Sequence, residues 1–154
     1  MNIRKDEVKG MRIRLAAESD AGMLMQLNRA FNEVDDVGEA DIRAALGAGR
    51  EVVAVAEEAG VLIGFCCAQV HHSFCYNAPC AEITEMYVDA AHRKKGAGRA
   101  MLAFMTEHLQ GAYGVCEMHL LTGCENEAAK ALYGAMGFEE KKEAYMRKKL
   151  EGST

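Results

Sequence analysis

The apolar run VLIGFCCAQV, at positions 61–70, constrains the fold of this chain more than any other segment. It follows EVVAVA at 51–56 and a short turn at 57–60, so the two runs predict a β-hairpin. Because the second strand is apolar on both faces, it has to lie in the middle of a sheet that is covered on both sides. We therefore predict an α/β domain with helices on both faces of the sheet.

The spacing of apolar residues predicts the other elements, and their order gives a central mixed, mostly antiparallel sheet. Strands are predicted at 11–16, 51–56, 61–70, 81–88, 115–121 and 144–150. Helices are predicted after a cap at Ser19 or Asp20, at 41–46, at 97–110 up to Gly111, and at 126–136 up to Gly137. No linker or repeat divides the chain, so we expect one domain over 11–150. A polar lead-in at 1–10, which we expect to be poorly ordered, and a tail at 151–154 flank it.

Charge and hydropathy argue against several classes of function. Lys and Arg number 18 against 23 Asp and Glu, so the net charge is −5 and a nucleic-acid partner is not expected. No apolar run approaches the roughly 18 residues of a membrane span. The first ten residues, MNIRKDEVKG, lack the apolar core of a secretory signal. We therefore expect a cytoplasmic protein with no membrane partner.

The six cysteines predict free thiols rather than a disulfide framework or a metal site. No C-x-x-C pattern occurs, and the spacing of Cys66, Cys67, Cys75 and Cys80 around His71 and His72 fits no common ligand rule. Cys66 and Cys67 are better explained as small apolar residues of a strand. No metal is therefore expected.

The segment MYVDAAHRKKGAGRAML, at 86–102, predicts an anion site. A strand leads into a basic, glycine-rich loop, and a helix follows at once. Gly96 and Gly98 allow a ligand to approach the backbone closely, and the amides at a helix start favour negative charge. The alternative is a plain connector with a solvated basic face. The loop is not a Walker loop, because it lacks the pattern G-x-x-x-x-G-K-[ST]. It is not a dinucleotide fingerprint either, because that motif needs G-x-G-x-x-G.

The pattern R-x-x-G-x-G resembles the pyrophosphate loop of the GCN5-related N-acetyltransferases, the GNAT superfamily. The resemblance implies that this loop binds the pyrophosphate of acetyl-CoA and that the preceding strand edge pairs with the pantetheine arm. The implied cofactor residues are Met86, Tyr87, Val88, Arg93, Lys94, Lys95, Gly96, Ala97, Gly98 and Arg99.

A second motif, NEAAKALYGAMGF at 126–138, resembles the late helix of the same family. The resemblance implies that Asn126 contacts the pantetheine arm and that the hydroxyl of Tyr133 lies near the cofactor sulfur, where it would protonate the leaving thiolate. The alternatives are an N-cap for Asn126 and plain core packing for Tyr133. Together, in this order and on these elements, the two motifs predict a GNAT-like fold over essentially 11–150.

Two glutamates in the strand before the loop are candidate catalytic bases. Charge in a largely buried strand is unfavourable unless it is solvated or paired, which makes it a functional hint. Alternation places Glu82 on one face with Thr84, and Glu85 on the other with Tyr87. Resemblance to the histone-acetylating members selects Glu82, six residues before Val88, as the base. A solvated strand end is the alternative for each.

Weaker signals lie elsewhere in the chain. His119 is a lone histidine in a predicted strand, a pattern more typical of a structural residue than of a catalytic one. The acidic segment at 33–39 suits a cationic acceptor, although a solvated loop is the commoner explanation in an acidic protein.

The resemblance implies an acetyl-CoA-dependent N-acetyltransferase. A primary amine of a small molecule or a protein would attack the thioester directly in a ternary complex, without a metal. The alternative is a non-catalytic CoA-binding or regulatory domain of the same fold. A homodimer is the common default for such a chain.

Overall fold

The structure is a computed structural model, which describes residues 7–8, 10–33 and 35–152. The described strands are β1 (Glu7–Val8), β2 (Met11–Leu15), β3 (Val52–Glu58), β4 (Val61–His71), β5 (Cys80–Val88) and β6 (Glu117–Leu120). The described α-helices are α1 (Ala21–Asn32), α2 (Glu39–Ala48), α3 (Ala97–Tyr113) and α4 (Glu127–Ala135). Short 3₁₀ turns at Glu18–Asp20 and Ala90–His92 precede α1 and α3.

The strands form one sheet in their sequence order, β1 to β6. Neighbouring strands are antiparallel except β5 and β6, which are parallel. A parallel pair needs a crossover connection, and α3 is that connection. The predicted fold class, a mixed and mostly antiparallel sheet with helices, is therefore confirmed.

Two cores lie on opposite faces of the sheet. The α3-side core contains Met101, Leu102, Met105 and Leu109 of α3 together with Ile63 and Cys66 of β4. The α1-side core contains Leu24 and Leu27 of α1 together with Leu62 and Phe65 of β4, and α2 packs against it. Since β4 supplies both cores, its predicted central position is confirmed.

A buried ion pair joins the start of α1 to the sheet. Asp20 is 3% exposed, and its carboxylate accepts hydrogen bonds from both terminal nitrogens of Arg14, at 2.7 and 2.9 Å. The Nε of Arg14 donates to Glu57 of β3 at 2.9 Å. The carboxylate of Asp20 also accepts from the amide of Ala17 at 2.7 Å, so it caps the 3₁₀ turn. The sequence predicted that Asp20 or Ser19 would cap a helix, but the side chain of Asp20 makes no capping hydrogen bond to α1.

The predicted strand at 144–150 is wrong. These residues have no regular secondary structure, and Tyr145 and Met146 are 70% and 88% exposed. Three consecutive basic residues, at 147–149, put charge on both faces of any strand there, so neither face can be buried.

Other boundaries differ by less. Helix α3 continues past Gly111 and ends at Gly114, whose φ of 68° is left-handed. Strand β1 pairs with β2 inside the predicted lead-in, Glu7 opposite Arg12. Positions 1–6 and 9 of that lead-in lie outside the described residues. Across the described part of the chain, the helices are too short or too polar to cross a membrane.

We expect Asp20→Ala to lower the free energy of unfolding by about 2–3 kcal/mol, because it leaves Arg14 without its main partner. Arg14 lowers the pKa of Asp20, with the Ala17 amide adding to the effect. This stabilisation is therefore present above about pH 4 and is lost as the pH falls through the lowered pKa of the folded state.

Urea unfolding of both proteins at several pH values measures this effect. Asp35→Ala is the matched control, since Asp35 pairs with Arg29 at the surface, and its loss should cost at most about 1 kcal/mol. Equal losses in the two variants at neutral pH would show that burial adds nothing to the Arg14–Asp20 pair.

Candidate active site

The turn after β5 is anchored on both sides. The amide of Asp89 donates to the carbonyl of Ile63 in β4 at 2.8 Å. The carboxylate of Asp89 accepts from the amide of Ala91 at 3.2 Å and contacts Nδ1 of His92 at 2.9 Å. The direction in which the chain leaves β5 is therefore fixed before the glycine-rich loop begins.

The predicted loop follows this turn and has left-handed backbone at two positions. Lys94 has φ 62°, and Gly96 has φ 91°. Left-handed backbone is unfavourable for a lysine, and such residues concentrate at ligand-binding loops. Arg93 lies back over the strand: its Nε donates to the carbonyl of Val88 at 2.9 Å, and its guanidinium is 5.6 Å from the ring centre of Tyr87.

Helix α3 begins without a side-chain cap, at Gly96. The amides of its first turn therefore have no side-chain acceptor, and the positive end of the helix dipole faces the loop. Lys94, Lys95 and Arg99 are exposed around it. The arrangement suits an anion such as a pyrophosphate.

Gly98 has a packing role that the sequence interpretation missed. A Cβ atom there would meet Leu132 of α4 at 3.3 Å and Met86 of β5 at 3.7 Å. Glycine at this position thus lets α3 lie close to both elements, just inside the loop.

The edge of β5 is only partly paired. Strand β6 pairs with Cys80–Ile83. Beyond Ile83, Thr84–Val88 has no strand partner on that side among the described residues. The backbone groups that point to this side of Met86–Val88 belong to alternate residues and are therefore available beside the loop, except that the carbonyl of Val88 accepts from Arg93. The sequence interpretation places the pantetheine arm along this edge.

Helix α4 brings the second motif to the core beside α3. The Oδ1 of Asn126 accepts from the amide of Ala129 at 3.1 Å, so the predicted N-cap is confirmed. Tyr133 is half-buried in the α3-side core and packs edge-to-face on Phe138, with ring centres 5.8 Å apart. Burial raises the pKa of the Tyr133 phenol, and Cys66 adds to the shift. The phenol is therefore protonated at neutral pH and able to donate.

The predicted face assignment of the two glutamates is wrong. A β-bulge shifts the register between β4 and β5 at Cys67 and Ala68, so Thr84 is an extra residue. Ala81 and Ile83 belong to the α3-side core, so Glu82 faces the α1 side. Tyr87 packs on the α1-side core, and Glu85, two residues before it, shares that face. Both carboxylates therefore lie on the α1 side, because the bulge cancels one alternation.

The two carboxylates have different surroundings. Glu85 pairs across the sheet with Cys67. Although much of its side chain is open to solvent, loss of hydration raises the pKa of Glu85, and the negative charge of Glu51 raises it further. Glu82 is half-buried, and its Oε2 lies 3.6 Å from Nε2 of His71.

A cavity of about 210 Å³ opens between the sheet and the first two helices, near Glu85. Most of its lining is apolar, and two carboxylates, Asp41 and Glu51, add negative charge. The lining residues are Leu24, Asn28, Val37, Asp41, Ile42, Ala45, Leu46, Glu51, Val53, Phe65 and Cys67.

Sequence reasoning missed most of this lining. Only Val37 comes from the predicted acidic segment, while Asp35 of that segment pairs with Arg29 at 2.6 Å. Alternation along the predicted strand at 51–56 does place Glu51, Val53 and Val55 on one face, and this was the available signal.

Comparison with known proteins identifies the family. The model of the acetyltransferase (GNAT) family matches residues 22–138. The chain therefore belongs to the GNAT family of acetyltransferases, and the resemblance predicted from the two motifs is confirmed. A mycothiol acetyltransferase from Kocuria rhizophila is 35% identical over 78 residues, which make up 51% of this chain and 25% of that protein. The match thus spans about a quarter of that relative's length.

Solved structures share the fold over nearly the whole chain. The aminoglycoside acetyltransferase AAC(6')-Iy, in complex with a bisubstrate analogue of CoA and acetylneamine, is 25% identical with a TM-score of 0.77, covering 91% of this chain and 99% of that one. An aminoglycoside acetyltransferase from an uncultured soil metagenomic sample, in complex with trehalose, is 19% identical with a TM-score of 0.80, covering 94% and 100%. At that identity the second likeness supports the fold alone.

We expect Gly98→Val to destabilise the protein by about 1–3 kcal/mol, because the added methyl groups crowd Leu132 and Met86. Thermal and urea unfolding measure this. Gly111→Val in the same helix is the control: a Cβ there meets open space, and valine is the better helix former, so stability should stay the same or rise slightly. Similar stabilities for the two variants would show that α3 does not pack tightly here.

Proposed function

We propose that this protein is an acetyl-CoA-dependent N-acetyltransferase that acts on a cationic primary amine. One observation carries the proposal: the uncapped, glycine-started N-terminus of α3 directly adjoins the unpaired edge of β5. The first suits a pyrophosphate, and the second suits the amide-bearing arm of the same cofactor.

The cofactor would lie along the end of β5 and the loop. Its pyrophosphate would accept hydrogen bonds from the amides of Gly96, Ala97 and Gly98, with charge from Lys94, Lys95 and Arg99. Its pantetheine arm would pair with the backbone of Met86–Val88, as an added strand does. The side-chain amide of Asn126 would contact the same arm, while its Oδ1 keeps the cap of α4.

The reaction would proceed by direct attack. The neutral amine nitrogen attacks the thioester carbonyl, the C–N bond forms, and the C–S bond breaks. The leaving thiolate takes the phenol proton of Tyr133. A carboxylate of β5 takes one proton from the ammonium group before the attack, and the second proton, which the nitrogen loses after the attack, restores the phenol of Tyr133 through solvent. The protein thus contributes proximity, orientation and proton transfer.

Glu85 is better placed than Glu82 to accept the amine proton. Its cross-strand partner Cys67 lines the cavity, and so does Glu51, whose charge acts on it. A raised pKa makes Glu85 a stronger base than an ordinary carboxylate. Glu82, which the resemblance selects, is next to His71 and stays the alternative.

The acceptor cavity suits a positively charged amine, because the carboxylates of Asp41 and Glu51 lie among its apolar walls and Glu85 pairs with the lining residue Cys67. The aminoglycoside named in the AAC(6')-Iy complex is a compound of this class, which supports the proposal. The mycothiol acetyltransferase match covers too little of that protein to favour its substrate. A non-catalytic CoA-binding domain would not need a proton donor at the position of Tyr133.

Gly96→Asp should weaken CoA binding at least about tenfold, a loss of 1.4 kcal/mol, because the carboxylate repels the pyrophosphate and strains left-handed backbone. Isothermal titration calorimetry measures the affinity. Gly114→Asp is the matched control: it introduces the same residue at another left-handed position, at the far end of the same helix. Unchanged affinity in a folded Gly96→Asp protein would remove the cofactor assignment.

Tyr133→Phe should lower kcat about 10²–10⁴-fold and leave CoA affinity nearly unchanged, because it removes the proton donor and keeps the ring. Release of the CoA thiol with a panel of amines measures kcat. Tyr113→Phe, at the exposed end of α3, should leave kcat unchanged. A wild-type kcat in Tyr133→Phe, with chemistry rate-limiting, would make Tyr133 a packing residue only.

The acidic limb of the kcat profile should report Glu85. The base acts when deprotonated, and its raised pKa places the loss of activity above the pH of an ordinary carboxylate. Glu85→Gln should abolish this limb. Glu51→Gln removes a neighbouring negative charge, lowers the pKa of Glu85, and should move the limb to lower pH.

Glu82→Gln is the matched comparison for these variants, because it makes the same change on the same strand and face. It should leave the limb in place. If Glu82→Gln abolishes the limb and Glu85→Gln does not, Glu82 is the base, as the resemblance implies. If neither variant changes the profile, the proton leaves through solvent.

A further inference from the structure

Three side chains from three neighbouring strands converge near the end of the sheet where β5 begins. His71 ends β4, Glu82 lies early in β5, and His119 lies in β6. One nitrogen of each histidine and one oxygen of Glu82 all lie within 4.8 Å of one another. The two imidazole rings are nearly parallel, with centres 6.1 Å apart.

The register of the sheet creates this cluster. Glu82 lies directly opposite His119 in the parallel pair, and His71 lies opposite Cys80, two residues before Glu82. The residues beside the histidines, Val70, Met118 and Leu120, pack on the α3-side core. Both histidines therefore face the α1 side, as Glu82 does. Strand pairing thus holds the three groups on one face.

Two imidazoles and one carboxylate are the protein ligands of several zinc sites that keep a fourth position open for water. Nε2 of His71 and Oε2 of Glu82 are 3.6 Å apart. Metal–ligand bonds of about 2.0–2.2 Å put tetrahedral ligands roughly 3.3–3.5 Å apart, so small side-chain rotations complete the site. His71 and His119 are exposed, which gives an ion a path from solvent.

We propose that His71, Glu82 and His119 form a binding site for Zn²⁺ or a similar divalent transition-metal ion. The bound ion would connect β4, β5 and β6 at the end of the sheet where β6 makes its pairs with Cys80–Ile83. It would therefore stabilise the attachment of β6. The proposal departs from the sequence-based expectation of no metal, since that expectation weighed the spacing of residues 66–80 alone. Its test does not depend on acetyl transfer, and Glu82 is the one residue that it shares with the mechanism proposed above, as the alternative base.

Cobalt(II) titration of tag-free, chelator-treated protein tests the site, because tetrahedral Co²⁺ reports its ligands by visible absorption. We expect one ion per chain, displaced by Zn²⁺, with no thiolate-to-metal charge-transfer band. His71→Ala, His119→Ala and Glu82→Gln should each weaken binding at least about tenfold. His72→Ala, the adjacent exposed histidine, should bind as the wild type does.

Thermal unfolding gives a second readout that needs no acetyl-transfer activity. Zn²⁺ should raise the Tm of the wild type and of His72→Ala, and should not raise the Tm of the three site variants. Their melting curves without metal show whether they fold, and each variant tests the site separately. Absence of binding, equal binding in the site variants, or thiolate bands from the free cysteines would each overturn the proposal.

Discussion

The rest of this molecule depends on one constraint: β5 pairs with β6 over only the first part of its length. The two parallel strands pair from Cys80 to Ile83, and β6 then ends at Leu120 while β5 continues to Val88. Backbone amides and carbonyls at a strand edge need partners, so an unpaired edge inside a domain is a binding surface. The anchored turn at Asp89 then directs the chain into a helix that begins beside this edge.

The β-bulge at Thr84 decides on which face of the sheet the carboxylate of Glu85 lies. Without the bulge at Thr84, Glu85 would face α3 and would have to enter the apolar core around Met101. The bulge instead turns Glu85 toward Cys67 and Glu51, where its charge is tolerated and its pKa is raised. The same bulge keeps Ile83 and Met86 both in the α3-side core, so the packing of α3 is continuous across it.

Local signals allowed the sequence to predict most of the fold. The two-sided apolar run at 61–70 predicted the central strand, and R-x-x-G-x-G followed by the helix at 97–110 predicted the loop. Alternation could not predict a bulge, since no proline or glycine marks Thr84. The cluster of His71, Glu82 and His119 was also hidden, because only strand register brings together residues so far apart in sequence.

The basic and acidic residues beside β5 lie in two separate groups. Lys94, Lys95 and Arg99 surround the start of α3, whereas Asp41 and Glu51 line the cavity on the other side of the sheet. Under the proposed function, the anionic cofactor would be attracted to the loop after β5, and a cationic amine would be attracted to the cavity beside Glu85 on the α1 side of the sheet. The positive field of the helix start would repel the amine from the cofactor loop, and the carboxylates would repel the pyrophosphate from the cavity. In that arrangement, each substrate would be kept out of the other's site by the charges that attract its partner.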